Sequence, residues 1–350
     1  MMKKINKTAI LLFAIFAMFS CENAPIEFDD FGVTACYFPY QTPVRTIILG
    51  KYDDGFNDND NNRQFEIGVI MSGVYENKID RKVYFEVDTA LLSDVAGVKY
   101  LPATYYTVET VSPVIIPKGD TKGRILIKLT DAFFNDTLAV AALNKTNYAI
   151  PLVIKSQEGL DSVLVGKPLV ATPNRNIATN WSILPKDYTL FGIKYINKYH
   201  GNYLRRGADK VINNTTNVEI GTKIYHNQYV EKDEVVKAST FDLNTISVPN
   251  KIRRYNAPDG GNLTLNLVFA ADGTCVVYNK VTNTVIGSGL LKENGDMWGG
   301  KSRDVIYLQY AYNDPLVSRN EKHEVKDTMV IRDRGVVFET FVPTLKTPNP

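Results

Sequence analysis

The densest run of oxygen ligands in the chain is 53–62, DDGFNDNDNN. Ca2+ takes six to eight oxygens, and Asp58, Asp60 and Asn62 stand at the alternate spacing of an EF-hand loop. The frame then departs from that pattern. Arg63 holds its sixth position, where the sharp turn needs Gly, and no Glu holds the twelfth. A solvated turn between strands is the preferred reading, and Ca2+ is the one cofactor left open. His200, His226 and His323 show neither HExxH nor HxH spacing, so no zinc site is expected. Cys36 and Cys275 lie in strand-like runs and read as buried free thiols, with no Cys–His pairing to make a nucleophile. Glycoside hydrolysis needs two carboxylates about 5–9.5 Å apart across a sugar. Glu231 and Asp233, with Glu234 beside them, come nearest. Lys232 and Lys237 among them mark an exposed charged strand instead. No G-x-S-x-G, P-loop or G-x-G-x-x-G frame is present, and the chain is read as non-enzymatic.

Aromatic and polar groups suited to sugars remain. A sugar presents apolar C–H faces to aromatic rings and hydroxyls to polar side chains. Trp298 lies in 295–300, GDMWGG, a glycine-flanked hairpin that suits ligand contact; the competing reading is a Trp folded back to plug a barrel end. Tyr203, Arg205 and Arg206 form a second candidate ligand site at a strand end, against the alternative of a charged rim. Asp136-Thr137-Leu138 matches an Asp-Ser/Thr-apolar O-glycosylation pattern and makes Thr137 a candidate acceptor.

The elements that position these groups are strands. Over 32–171, short apolar runs recur at 46–49, 65–71, 82–87, 114–116, 124–129, 148–154 and 163–171 between Gly, Pro, Asn and Asp clusters. In 82–87, Val83, Phe85 and Val87 share one face. Such spacing predicts an antiparallel β-sandwich. Residues 172–182, TPNRNIATNWS, lack apolar periodicity and read as a linker. Over 183–350, strand candidates follow at 188–196, 200–205, 217–225, 229–238, 240–249, 262–270, 275–279, 285–291, 304–312, 324–332 and 336–342. Turns such as Ala271-Asp272-Gly273 join them. A meander of this length favours a closed up-and-down antiparallel β-barrel, because closure removes exposed edges. Two open sheets are the alternative. The fold class is therefore all-β, in two domains.

Residues 1–20 carry Lys3, Lys4 and Lys7 before an apolar run over 9–19. That run is too short to span a bilayer, which takes about 20 apolar residues, and reads as a signal-peptide core. Ser20-Cys21 at its end resembles a bacterial lipoprotein signal. The resemblance implies cleavage before Cys21 and lipid attachment to its sulfur, with each buried CH2 contributing about 0.8 kcal/mol to anchoring. Residues 21–31 then form a tether made acidic by Glu22, Glu27, Asp29 and Asp30. The whole chain of 350 residues has 40 basic and 38 acidic side chains. Removing Lys3, Lys4 and Lys7 leaves 37 basic residues, a net of −1, so the balance gives no sign of a nucleic-acid partner.

Segments 65–77 (FEIGVIMSGVYEN), 80–88 (DRKVYFEVD), Tyr100-Leu101-Pro102 and 180–207 (NWSILPKDYTLFGIKYINKYHGNYLRRG) resemble two-domain surface lipoproteins of gut Bacteroidetes. Those proteins join an N-terminal Ig-like β-sandwich domain, also found before some glycosidases, to a C-terminal domain similar to an antiparallel lipocalin-like (calycin) β-barrel. The resemblance covers nearly the whole mature chain, and 180–207 is its most specific part. It implies an outer-membrane, cell-surface protein of a polysaccharide-utilisation system, for glycan binding or adhesion, with outer-membrane transporter proteins as partners. It carries over no ligand residue. The alternative is an adhesion lipoprotein that binds a protein partner through an exposed sheet edge or barrel rim.

Overall fold

The computed structural model describes residues 30–142 and 145–347; the residues read as a signal peptide, Cys21 and those read as a tether, to residue 29, lie outside them. The first part contributes β1 (Ala35–Tyr37), β2 (Pro43–Ile48), β3 (Gln64–Ser72), β4 (Arg81–Val87), β5 (Val95–Ala96), β6 (Lys99–Tyr100) and β7 (Tyr106–Val108). It continues with β8 (Val114–Ile116), β9 (Lys122–Leu129), β10 (Tyr148–Glu158), β11 (Ser162–Val163), β12 (Lys167–Pro168), β13 (Trp181–Ile183) and β14 (Tyr188–Ile196). The second part is β15 (Gly201–Asn213), β16 (Glu219–Tyr225), β17 (Glu234–Thr240), β18 (Thr245–Ile252), β19 (Gly260–Phe269), β20 (Thr274–Asn279), β21 (Thr284–Trp298), β22 (Lys301–Asn313) and β23 (Glu321–Asp333). Two short strands close the chain, β24 (Glu339–Thr340) and β25 (Thr344–Leu345).

One sandwich sheet runs β11-β1-β3-β9-β7 and the other β24-β2-β14-β10-β4-β8. Period-two alternation builds the face between them. Phe65, Ile67, Val69 and Met71 of β3 and Ile125, Ile127 and Leu129 of β9 turn inward onto Val83, Phe85, Ile150 and Leu152 of the other sheet. Strand β10 is buried along both faces from Tyr148 to Ile154. Its even residues join that core, while Ala149 and Val153 pack on the far side against Leu91, Leu92, Val95 and Leu190.

The expected boundary at 172–182 is corrected here. Strand β14, assigned from the sequence to the barrel, lies inside the sandwich, antiparallel to β10 and parallel to β2. The stretch read as a linker is pinned down. Asn174 and Asn176 donate to Asp94 and Asn176 to the Leu91 carbonyl, and the Trp181 indole donates to the Asn174 carbonyl at 2.8 Å. The chain thus leaves the sandwich only after Ile196. It also returns. The segment over 336–342, read as the last barrel strand, crosses back so that β24 pairs with β2 and β25 with β5.

Between departure and return lies a closed barrel of eight antiparallel strands, β15-β17-β18-β19-β20-β21-β22-β23, sealed by β15 against β23. Closure removes the two free edges that an open eight-stranded sheet would have, while β16, outside the eight, pairs with β15 alone among the described residues. Along one edge of β15, β17 pairs over Gly201–Arg205 and β16 takes over from Gly207 onward. Gly207 is needed at that exchange. A Cβ there would lie 2.3 Å from the Lys326 carbonyl oxygen and 2.6 Å from the Asp327 carboxylate. Among the described residues, no helix is long and apolar enough to cross a membrane.

Candidate binding cleft

The cleft begins with a short pairing. Strand β1 meets β3 only at Ile70–Ser72 and then crosses to the other sheet, so among the described residues the β3 edge over 64–69 has no strand beside it. Pro39 lies in the crossing, and Gln41 donates to the Phe38 carbonyl at 2.9 Å to turn it. The returning tail fixes the opposite wall: the Phe341 amide donates to the Thr42 carbonyl at 3.0 Å, and β24 pairs with Pro43 and Val44. The cleft between them holds about 290 Å3. Ile67 and Phe191 floor it, and Phe191 stacks on Phe65 with centroids 5.5 Å apart. Tyr40 (54% exposed) and Phe338 (65% exposed) form the mouth. Among the described residues, Arg45, Lys122 and Thr189 are its polar groups and no carboxylate lines it. Large aromatics left in water over an apolar floor suit a ligand with one apolar face.

The groups singled out from the sequence sit elsewhere. Tyr203 and Arg205 are not at an open rim; both are buried inside the barrel. The Tyr203 hydroxyl donates to the Tyr199 carbonyl at 2.8 Å. The Arg205 guanidinium meets the Asp327 carboxylate at 3.2 Å and donates to Asn250. Asp327 also accepts from the hydroxyls of Tyr225 and Tyr310. Burial, with the Asp327 charge beside them, pushes both phenols far above their ordinary range. Arg206 points the other way and is held by Asp233 at 2.6 Å. Asp233 is itself buried, because the chain over Val230–Lys232 is a single 3-10 turn and strand β17 starts only at Glu234. The charged strand expected over 229–238 therefore begins late, and Glu231 and Asp233 do not share a strand face.

Trp298 is half-buried at the end of β21. Its ring lies under the Arg303 guanidinium, 4.9 Å from the centroid, and Arg303 reaches Asp53 of the sandwich at 3.4 Å. Arg303, backed by this ring, belongs to the contact between the two parts. The Ca2+ frame is dismantled by its own fold. Residues Asp58–Asn61 form one helical turn that buries Asp60 and leaves Asp58 and Asn62 exposed. Arg45 at 2.5 Å and the Ile48 amide at 2.8 Å occupy the Asp60 carboxylate, so the three side chains do not converge. Thr137 is exposed at the start of a 3-10 turn. Cys36 and Cys275 are buried and free, and burial pushes their thiols up to about 11 and about 12.

A second buried cluster, Asp314, Glu321 and His323, closes one barrel end. Its carboxylates are already partnered: Arg254 grips both oxygens of Asp314, and Arg319 both oxygens of Glu321. His323 is oriented by Asp209 at 2.9 Å and stacks on Tyr312. The rest of the barrel is filled by Tyr199, Phe269, Ile246, Leu265, Leu267, Leu308 and Met329. The interior is a packed core, and at its polar end the buried His323 Nε2 has no hydrogen-bond partner among the described residues, lying 4.0 Å from the Asp314 carboxylate. The Tyr40–Phe338 cleft escaped sequence reasoning, because only the returning tail brings its two walls together.

The model of DUF5627, a domain of unknown function, matches residues 198–335, the barrel. A model described as an N-terminal domain matches 29–161, within the sandwich. A Bacteroides ovatus protein of unknown function, seen in a crystal structure, is 34% identical with a TM-score of 0.81; the match covers 91% of this chain and 100% of that one. A second Bacteroides ovatus structure of unknown function is 15% identical at a TM-score of 0.41, over 87% of this chain and 97% of that one. An auxiliary nutrient binding protein from Bacteroides thetaiotaomicron is 14% identical at a TM-score of 0.36, over 82% of this chain and 90% of that one. No curated protein matches the chain significantly.

Proposed function

The chain belongs to the same family as the Bacteroides ovatus protein with which it shares 34% of its residues, and from that premise we propose that it is a non-enzymatic lipoprotein which captures glycan in the Tyr40–Phe338 cleft. The observation that carries the proposal is the cleft's make-up: two exposed rings over an apolar floor, with Thr189, Arg45 and Lys122 at hand for hydroxyls. A pyranose stacks its C–H face on such rings while its hydroxyls keep polar partners or water. Without a carboxylate in its lining, the cleft has no acid–base pair for glycosidic cleavage. The charged run at 3–7, the apolar run over 9–19 and Cys21 support a lipid anchor in the outer membrane, with the acidic tether holding the sandwich off the bilayer.

A glycan array across plant and host polysaccharides, followed by calorimetry with Tyr40→Ala, tests the capture role. Uniformly flat responses would sink it. Metabolic labelling with palmitate, compared with Cys21→Ser, tests the anchor; label that persists in the variant removes it.

One observation favours a second reading. The unpaired β3 edge over 64–69 could receive an extended segment of a protein partner by strand addition. Crosslinking in outer membranes separates the two: a stoichiometric protein partner captured regardless of added sugar supports strand addition.

A further inference from the structure

We infer that the glycan held in the cleft is anionic, with a carboxylate or sulfate group seated on Lys122; the inference rests on the glycan reading of the cleft. The two cations of the lining differ in kind. Arg45 is neutralised by buried Asp60 at 2.5 Å. Lys122 has no ion pair among the described residues: Glu66 at 3.4 Å and Asp120 at 3.3 Å share Arg124, and neither lines the cleft. With no carboxylate in the lining, Lys122 is a cation of the cleft with no direct ion-pair partner among the described residues.

The lysine is also aimed. Strand pairing sets it opposite Ile70, on the outer face of β9, one pleat along from Gly68. Its side chain crosses the strand over Gly68, where a Cβ would lie 2.7 Å from the Lys122 Cε. The Gly68 backbone is not in the left-handed region, so its conformation does not demand glycine. The missing side chain is what lets the lysine lie across to the cleft. An ammonium against apolar walls attracts an anion more strongly than one in open water, because the local dielectric is lower.

The test is calorimetry on the purified mature protein with three probes of matched length: oligogalacturonate, a sulfated oligosaccharide and a neutral oligosaccharide. The expected result is an advantage of about tenfold or more for an acidic probe at low salt, as for a charge-assisted hydrogen bond. That advantage should shrink as salt rises. Whichever acidic probe wins identifies the group as carboxylate or sulfate. Lys122→Ala should erase the advantage, Lys122→Arg should keep most of it, and Gly68→Ala, which displaces the lysine without removing it, should act like Lys122→Ala. Equal binding of neutral and acidic probes, abolished by Tyr40→Ala, would overturn the charge inference and leave the cleft reading standing. Binding that survives both Tyr40→Ala and Phe338→Ala, or no binding of any saccharide, would overturn both.

Discussion

The rings of Tyr40 and Phe338 meet at 5.2 Å between centroids, with planes tilted by 52°, although one opens the sandwich and the other follows the barrel. Both stay largely in water, so neither contributes much to the core. Their placement costs the fold exposed apolar area that a purely structural pair would have covered. Replacing either by Ala should therefore change unfolding free energy by only about 0.5 kcal/mol. Glycan affinity should fall by about 1–2 kcal/mol, roughly tenfold. Calorimetric titration beside a thermal melt checks both. A large drop in melting temperature with unchanged affinity would make the pair structural.

Arg205 and Asp327 form a different kind of pair, with both side chains out of water. Removing one partner strands the other charge, which costs about 3–5 kcal/mol in comparable buried pairs. Arg205→Met should lower the urea midpoint sharply. The double variant Arg205→Met/Asp327→Leu should recover part of that loss, because no charge is then left unpaired. A double variant as unstable as the sum of its singles would show that the pair is not coupled.

Arg334 ties the barrel to the sandwich. Its guanidinium donates to the carbonyls of Lys51 at 2.6 Å, Leu49 at 3.0 Å and Asn197 at 2.6 Å. Three charge-assisted hydrogen bonds from one buried cation hold the point where the chain leaves the sandwich to the point where it turns back. Arg334→Met should uncouple the two parts, splitting one calorimetric transition into two. A single transition at unchanged temperature would remove the clamp.

The sequence was most legible where neighbours in the chain are neighbours in space. The alternation of Phe65, Ile67, Val69 and Met71 marked a half-buried strand, and Asp272-Gly273 marked a hairpin turn that the structure keeps. Legibility failed at long-range pairings. Nothing local distinguishes Tyr188–Ile196 from the barrel strands after it, since its place is set by parallel pairing with distant Val44–Ile48. Arg205 looked like a rim charge because a lone arginine is rarely buried. Its partner Asp327 arrives only when β23 closes the barrel against β15. The cleft is the extreme case: it exists only because the chain, having built the barrel, comes back past Pro43.

His200 makes the fold sensitive to acid. It is buried where the sandwich hands over to the barrel, and its Nδ1 accepts the Thr240 amide hydrogen at 3.0 Å. Burial, then the charges of Arg334 and Lys237, push the imidazole from 6.5 down to about 3. The folded value lies below the unfolded one, so His200 contributes stability in full above about 6.5. That contribution is lost as pH falls from there towards 3, since only the unfolded chain takes up the proton in that window. Within it the loss approaches about 1.4 kcal/mol per pH unit. His200→Asn keeps a short acceptor near the Thr240 amide but cannot titrate. The stability gap between wild type and His200→Asn should narrow by at least about 1 kcal/mol between pH 7 and pH 5, as read from urea midpoints. Carboxylates common to both proteins cancel in that difference. A gap that stays constant over the interval would show that His200 is protonated in the fold and that acid acts elsewhere.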